Sequence, residues 1–272
     1  MRRIAVLCVL ATGLAACGSA PQTKSDNPVS APSAAPAVAT SPAPSGAAPA
    51  NAVDPTAVQA LRDMGKYLQT LNRFEVEVDL SGERVLADGQ KLLHTATARV
   101  DVQRPNKLRA QMRSARSARD LLYDGKTVVL YMPEQKYYSQ VPFTDNLADL
   151  VTRLRERFGV EVPMADLFLW GTPQAPLEGM SSAMSAGQDM VGNTLCDHFA
   201  FRQGDIDWQI WIATGPRPLP QRLVITNRND EARPQSVSSI RWNLNPRLAD
   251  SRFTFTPPKG AMPAKFVPLQ GR

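Results

Sequence analysis

The stretch Phe74-Glu75-Val76-Glu77-Val78-Asp79-Leu80 alternates strictly between apolar and acidic side chains. A period of two places the apolar residues on one face of a β-strand and the carboxylates on the other. Such alternation is typical of an antiparallel sheet that packs on a core with one face and meets water with the other. The stretch therefore predicts that the folded part of the chain is built on an antiparallel sheet.

Turn sequences extend this pattern along the chain. Asp88-Gly89 and Asp124-Gly125 each separate two runs of strand-forming residues, which is a strong signal for a β-hairpin. Hairpins pair neighbouring strands in antiparallel order. Alternating segments predict about eleven strands, at 74–80, 92–102, 108–112, 121–123, 127–131, 137–141, 183–191, 195–201, 206–213, 222–227 and 236–244.

Two or three helices interrupt these strands. Asp54-Pro55 is a typical helix start, an N-cap followed by proline, and helical spacing of apolar residues continues to Asn72. An amphipathic helix is predicted over 145–158 with Asp145 as its cap, and a short third helix over 163–170. The predicted fold class is mainly β (α+β), a large curved antiparallel sheet with helices against one face.

Apolar residues on the predicted sheet and helices suggest a ligand cavity between the two layers. A half-open sheet under a helical cover rich in Met and aromatic residues can enclose such a cavity, whereas a packed core explains the same pattern. The predicted cavity-lining residues are Phe74, Val76, Val78, Trp208, Ile210, Ile212 and Trp242. The predicted lid residues are Leu147, Leu150, Val151, Leu154, Phe158, Leu167, Phe168 and Trp170.

Basic residues concentrate between positions 99 and 119 of a chain whose formal net charge is +6. A cluster of this kind attracts acidic head groups, phosphates or an acidic partner, although a solvated strand face with its loops is the simpler interpretation. The predicted basic patch consists of Arg104, Lys107, Arg109, Arg113, Arg116 and Arg119.

The N-terminus resembles a bacterial lipoprotein signal peptide. Arg2 and Arg3 precede an apolar run that is shorter than the roughly 20 residues of a membrane span, and Leu14-Ala15-Ala16-Cys17 resembles the lipobox. We expect export, removal of residues 1–16 and acylation of Cys17; the alternative is an ordinary signal peptide with an incidental cysteine. Gly18 after the cysteine, by resemblance to the usual sorting pattern, favours the periplasmic face of the outer membrane.

Residues 17–53 are expected to form a disordered tether behind the acylated cysteine. The segment is almost entirely Ala, Pro, Ser, Thr and Gly and has no aromatic residue. It cannot bury enough apolar surface to offset the entropy of ordering. The folded domain is therefore predicted to comprise residues 54–272.

Signatures of catalysis and metal binding are absent from the sequence. There is no Gly-x-Ser-x-Gly, phosphate-loop or His-Glu-x-x-His motif, and the only two histidines are His94 and His198. Cys196 and His198 share a strand face about 6.6 Å apart, too far for a routine hydrogen bond, and a lone cysteine is usually a buried small thiol. We therefore expect no enzyme activity, no cofactor and no metal, and export argues against a nucleic-acid partner.

Segments 123–127, 166–171, 196–203, 208–212 and 218–220 resemble a family of predicted periplasmic proteins of unknown function. That family is grouped with the LolA/LolB-like lipoprotein-carrier superfamily, and the resemblance covers residues 54–263. It implies an incomplete, LolA-like antiparallel barrel whose apolar interior is covered by helices and binds acyl chains of lipoproteins.

The sequence thus favours a membrane-anchored periplasmic lipoprotein that binds an apolar ligand, either lipid or acyl chains, without catalysis. Its expected partners are that ligand, the membrane through N-terminal acylation, and another envelope protein. The alternative is a protein-interaction or envelope-stress sensing module with a filled core.

Overall fold

The computed structural model describes residues 52–269, so the predicted signal peptide, Cys17 and nearly all of the tether lie outside the described residues. The α-helices are α1 (Pro55–Thr70) and α2 (Leu147–Phe158), and short 3₁₀ helices lie at Ala165–Phe168 and Asp250–Arg252. The strands are β1 (Arg73–Val85), β2 (Lys91–Gln103), β3 (Lys107–Ser114), β4 (Ala118–Tyr123), β5 (Thr127–Met132), β6 (Tyr137–Pro142), β7 (Met180–Val191), β8 (Thr194–Gln203), β9 (Ile206–Ala213), β10 (Pro220–Asn227), β11 (Gln235–Asn243) and β12 (Met262–Pro263).

The strands form a curved 12-stranded sheet in the order β12-β6-β5-β4-β3-β2-β1-β11-β10-β9-β8-β7. Neighbouring strands are antiparallel, except that the two-residue β12 lies parallel to β6. β1 joins the two halves, because Val78 lies opposite Ala98 of β2 and Ile240 of β11. β7 and β12 are the two ends of the order, so the sheet is open, and the predicted incomplete antiparallel barrel is confirmed.

The alternation in β1 divides the sheet into two faces of different character. Phe74, Val76 and Val78 are at most 1% exposed and belong to one continuous apolar core with the helices. Glu77 and Asp79 point to the opposite face, where both lie close to Arg241. The face under the helices is called the concave face below, and the opposite one the convex face.

Helix α1 begins as predicted and ends two residues earlier. The Asp54 side chain accepts a hydrogen bond from the Thr56 amide at 2.8 Å, and proline occupies the first turn. The helix ends at Thr70 because Leu71 adopts an extended conformation and Arg73 already starts β1. Residues at helical spacing are completely or almost completely buried on its inner side, namely Ala57, Leu61, Met64 and Leu68.

Helix α2 has a different cap from the predicted one. Asn146, not Asp145, accepts hydrogen bonds from two amides of the first turn at 2.9 and 3.1 Å. Asp145 precedes the cap, and its backbone oxygen accepts a hydrogen bond from the Tyr123 hydroxyl at 2.6 Å. The third predicted helix is only a four-residue 3₁₀ turn, preceded by Met164 in a left-handed conformation. The described residues therefore contain two α-helices.

Candidate ligand-binding site

The seven predicted cavity-lining residues come together on the concave face and are packed. Six of them are at most 6% exposed, Trp242 is half-buried, and all seven belong to or pack against the main core. The Phe74 and Trp242 rings lie 5.6 Å apart. Neither of the two cavities described below is lined by any of these residues. Their role as ligand contacts stays a prediction.

The predicted lid residues also reach the core, but they divide between two places. Seven of the eight are buried and Phe158 is half-buried. The segment after α2 brings Trp170 to within 6.2 Å of Trp208, ring to ring, on the β9 side of the sheet. Helix α2 itself covers the β5–β6 side. The lid is therefore two separate covers and does not lie as one unit over Trp208.

Helix α1 and the segment after the 3₁₀ turn are held together at backbone distance. Gly171 has a φ of +78°, and a β-carbon added to Gly65 would lie 2.5 Å from the Gly171 nitrogen. The Gln69 side chain donates a hydrogen bond to the Trp170 oxygen at 2.5 Å. Only glycine at both positions permits this close approach. The contact holds α1 against the segment at Trp170 and Gly171.

Helix α2 leaves a small cavity against the sheet, called the α2 gap below. Its volume is about 30 Å³, on the scale of a single water molecule. Its apolar walls come from β5, β6, α2 and the residue after β6, and consist of Val128, Val141, Pro142, Phe143, Leu150, Leu154 and Phe158. Arg153 and Arg157 complete the lining and are exposed to solvent. The packing of α2 is therefore less complete than that of α1.

The C-terminal segment 262–269, called the C-terminal strap below, holds the end of α2 to the sheet. β12 pairs with Tyr137 and Tyr138 of β6. The Phe266 ring then packs edge-on against Phe158 at 4.5 Å, and the Leu269 amide donates to the Arg157 oxygen at 2.7 Å. The sequence pattern does not predict this strap, because the two residues that contact the end of α2, Phe266 and Leu269, lie among prolines and follow neither a helical nor a strand period.

A second, larger cavity lies on the convex face and was not predicted. It is an open cleft of about 380 Å³ across β11, β1, β2 and β3. Hydroxyl side chains from Ser81, Thr95, Thr97 and Ser239 line it together with Asp79, Arg113 and Val237. The hydrogen bond from Arg241 lowers the pKa of Asp79, and Arg113 pairs with Asp120. The charges of this cleft are thus largely balanced by neighbouring residues.

The six predicted basic residues do not form one patch. Strand alternation puts Arg109 and Arg113 on the convex face, where both approach Asp120, and Arg119 opposite the concave-face Met112. Lys107 pairs with Asp250 at 2.7 Å, a residue remote in sequence.

The last two members of the predicted patch lie elsewhere. Arg116 contacts His94, Nη1 to Nδ1, at 2.7 Å. Arg104 is in the β2–β3 turn, where burial lowers its pKa. The basic cluster in the sequence is therefore dispersed, because its residues alternate between faces and three of them pair with Asp120 or Asp250.

Cys196 and His198 share the convex side of β8 in a structural cluster. Burial raises the pKa of the Cys196 thiol, whose Sγ lies 3.5 Å from the Thr194 oxygen. The His198 ring stacks on Trp211 at 4.0 Å and lies 3.0 Å from the Gln209 side-chain oxygen. The His198 imidazole thus interacts with Trp211 and Gln209 and not with the Cys196 thiol.

Between residues 52 and 269, no group of three or more His, Cys, Asp and Glu side chains is placed to hold a metal ion. In the same part of the chain, no helix combines the length and the apolar character needed to span a membrane.

Comparisons with known proteins give a family and several distant structural neighbours. A family model described as predicted periplasmic protein (DUF2092) matches residues 57–267, which confirms the resemblance predicted from the sequence. The comparison with curated proteins gives no match.

Three solved structures illustrate what the fold is similar to. An uncharacterized conserved protein from Thermus thermophilus has a TM-score of 0.46 at 13% identity, covering 77% of this chain and 99% of that one. The lipoprotein LppX from Mycobacterium tuberculosis has a TM-score of 0.45 at 13% identity, covering 72% and 100%. A LolA superfamily protein from Nitrosomonas europaea has a TM-score of 0.34 at 12% identity, covering 73% and 97%.

Proposed function

Because the chain belongs to the DUF2092 family of predicted periplasmic proteins, we propose that it is a membrane-anchored periplasmic lipoprotein, without catalytic activity, that binds an apolar ligand. The ligand is a lipid or an acyl chain, and its entry is the α2 gap between helix and sheet. The observation that carries this proposal is the α2 gap itself, an apolar space continuous with the concave core and closed by a single helix.

The small size of the gap fits a closed, empty state. The atoms that line an empty apolar void lack packing partners on one side. An empty binding site therefore lowers its free energy by collapsing. A gap of about 30 Å³ is far below the roughly 300 Å³ or more of a typical ligand site. Binding of an acyl chain in this gap therefore requires α2 to move away from β5 and β6.

The attachments of α2 indicate how it would open. Gly159, in a left-handed conformation, ends the helix and separates it from the following loop. The C-terminal strap holds that end through Phe266 and Leu269. At the other end, the Tyr123 hydroxyl holds the Asp145 backbone. Release of the strap would free the C-terminal end of α2 while its N-terminal end stays attached.

Anchoring through an acylated Cys17 remains part of the proposal. Cys17→Ser should move the protein from the membrane fraction to the soluble fraction of the periplasm. Unchanged membrane association of this variant would contradict acylation at Cys17, whatever the folded domain binds.

A binding experiment tests the ligand. In the Cys17→Ser chain, a fluorescent long-chain fatty acid should bind with micromolar or better affinity, about 8 kcal/mol. Val141→Trp fills the α2 gap and should abolish binding. Val237→Trp is the matched control, since Val237 is also half-buried but lines the convex cleft. If Val237→Trp abolished binding and Val141→Trp did not, the ligand would bind in the convex cleft, which would contradict the proposal.

A second candidate function is a protein-interaction or envelope-stress sensing module with a filled core. The close packing of the predicted cavity-lining residues favours it, and the convex cleft offers a surface for a partner. In that case the folded chain binds no fatty acid. Ile210→Trp then only overpacks the core, at a cost of about 1–3 kcal/mol, with no binding to lose.

A further inference from the structure

Two guanidinium groups stand at the mouth of the α2 gap. Arg153 and Arg157 are four residues apart on α2 and therefore lie on the same edge of the helix. The Arg153 guanidinium lies 4.7 Å from the centre of the Phe143 ring, and that of Arg157 lies 5.4 Å from the centre of the Phe158 ring. Both aromatic rings are walls of the gap, so positive charge borders an apolar interior.

The charge at this mouth is only partly neutralised. Arg153 pairs with Asp145 at 3.1 Å, but both side chains are about half exposed, 49% and 45%, and such surface pairs are weak. Arg157 has no carboxylate within 4.0 Å among residues 52–269. At least one guanidinium therefore keeps its hydrogen-bond donors available to a ligand.

We propose that the ligand of the α2 gap is an amphiphile with an anionic head group, a carboxylate or a phosphate, directly beside its acyl chain. The acyl chain occupies the opened gap, and Arg157 together with Arg153 binds the head group at the mouth. Guanidinium groups suit this role because their planar donors match two oxygens of a carboxylate or phosphate at once. The inference rests on the proposed function, whose site it shares, and adds the class of ligand.

Pairs of probes with the same tail separate the head-group contribution from burial of the chain. Unlabelled competitors displace a fluorescent fatty acid from the Cys17→Ser chain at pH 7.5. Hexadecanoic acid should compete about tenfold better than hexadecanol, and lysophosphatidic acid about tenfold better than the matching monoacylglycerol. Comparison of lysophosphatidic acid with hexadecanoic acid distinguishes a phosphate-bearing lipid from a free fatty acid as the preferred source. Both preferences should fall as ionic strength rises, because the mouth is exposed to solvent.

Arginine variants test the assignment to residues. Arg157→Gln should remove most of the preference for the acid, and Arg153→Gln a smaller part, because Asp145 already shares Arg153. Arg157→Lys should retain a preference, since it keeps the charge. Arg155→Gln is the matched control: Arg155 lies in the same last turn of α2, does not line the gap and acts on Asp166 instead.

The outcomes separate the two proposals. If hexadecanoic acid and hexadecanol compete equally well for the chain with all its arginines present, the proposed preference for an anionic head group is wrong. Binding of an apolar chain would still stand. If Arg155→Gln lost as much of the preference for the acid as Arg157→Gln does, the assignment to the mouth would be overturned. The preference would then depend on the overall charge of α2. No displacement by any amphiphile would overturn the proposed function itself.

Discussion

Helices α1 and α2 cover the same concave face in two different ways. Helix α1 buries Leu61 and Met64 completely and meets the opposite segment at a glycine–glycine contact. Helix α2 leaves a gap against β5 and β6, carries arginines at its rim and contacts the C-terminal strap at its end. The two helices therefore differ in how completely they pack, and in the proposed function α1 is the fixed half of the helical layer and α2 the half that opens.

The largest difference between the two helices should appear when a buried leucine is truncated. Leu61→Ala should destabilise the fold by about 3–5 kcal/mol, since no existing gap lets its surroundings relax. Leu154 borders the α2 gap and so has fewer packing contacts to lose, and Leu154→Ala should cost nearer 2–3 kcal/mol. Chemical denaturation measures both. Equal costs would remove the distinction between a fixed and a movable helix.

The glycine contact offers the next largest effect. Gly65→Ala places a β-carbon against the Gly171 backbone and should destabilise by about 1–3 kcal/mol. Gly82→Ala is the matched control in β1, where the nearest neighbour of an added β-carbon is 3.9 Å away, and it should change stability by less than about 1 kcal/mol. Thermal unfolding of both variants checks this, and a neutral Gly65→Ala would show that α1 can shift.

The strap should have a smaller effect on stability and a clear one on binding. Phe266 is half-buried against Phe158, so Phe266→Ala should cost about 1 kcal/mol. The same change should increase the rate at which a fluorescent fatty acid associates, because the C-terminal end of α2 is released. Stopped-flow fluorescence measures that rate. A slower association would indicate that the strap forms part of the ligand site.

A smaller, pH-dependent effect is expected at the 3₁₀ turn Ala165–Phe168 that follows α2. Although Asp166 keeps part of its surface exposed, its carboxyl lies deep among neighbouring atoms, and this burial raises its pKa while Arg155 opposes the shift. A raised folded-state pKa contributes stability below the ordinary aspartate pKa, and that contribution is lost as pH rises through the folded value. Asp166→Asn should therefore raise Tm at pH 7.5, and the difference should shrink toward pH 4. A lower Tm at pH 7.5 would contradict this.

The sheet and its core could be predicted because each depends on local alternation. In β1, the alternation of apolar and acidic residues alone shows which side chains face the core. The two Asp-Gly turns make β1 and β2, and β4 and β5, antiparallel neighbours. The α2 gap and the partners of the basic residues could not be predicted, because both depend on which distant segments of the chain meet. Asp250 reaches Lys107 from the far end of the chain, and Phe266 reaches α2 from a segment without periodicity.

Amide hydrogen exchange of α1 and α2 in the same molecule reports the local opening of each helix and so shows whether α2 opens more readily than α1. We expect faster exchange in α2 than in α1 without ligand, and slower exchange in α2 alone when hexadecanoic acid is added to the Cys17→Ser chain. Equally slow exchange in both helices, unchanged by the fatty acid, would contradict an apolar binding site that opens at α2.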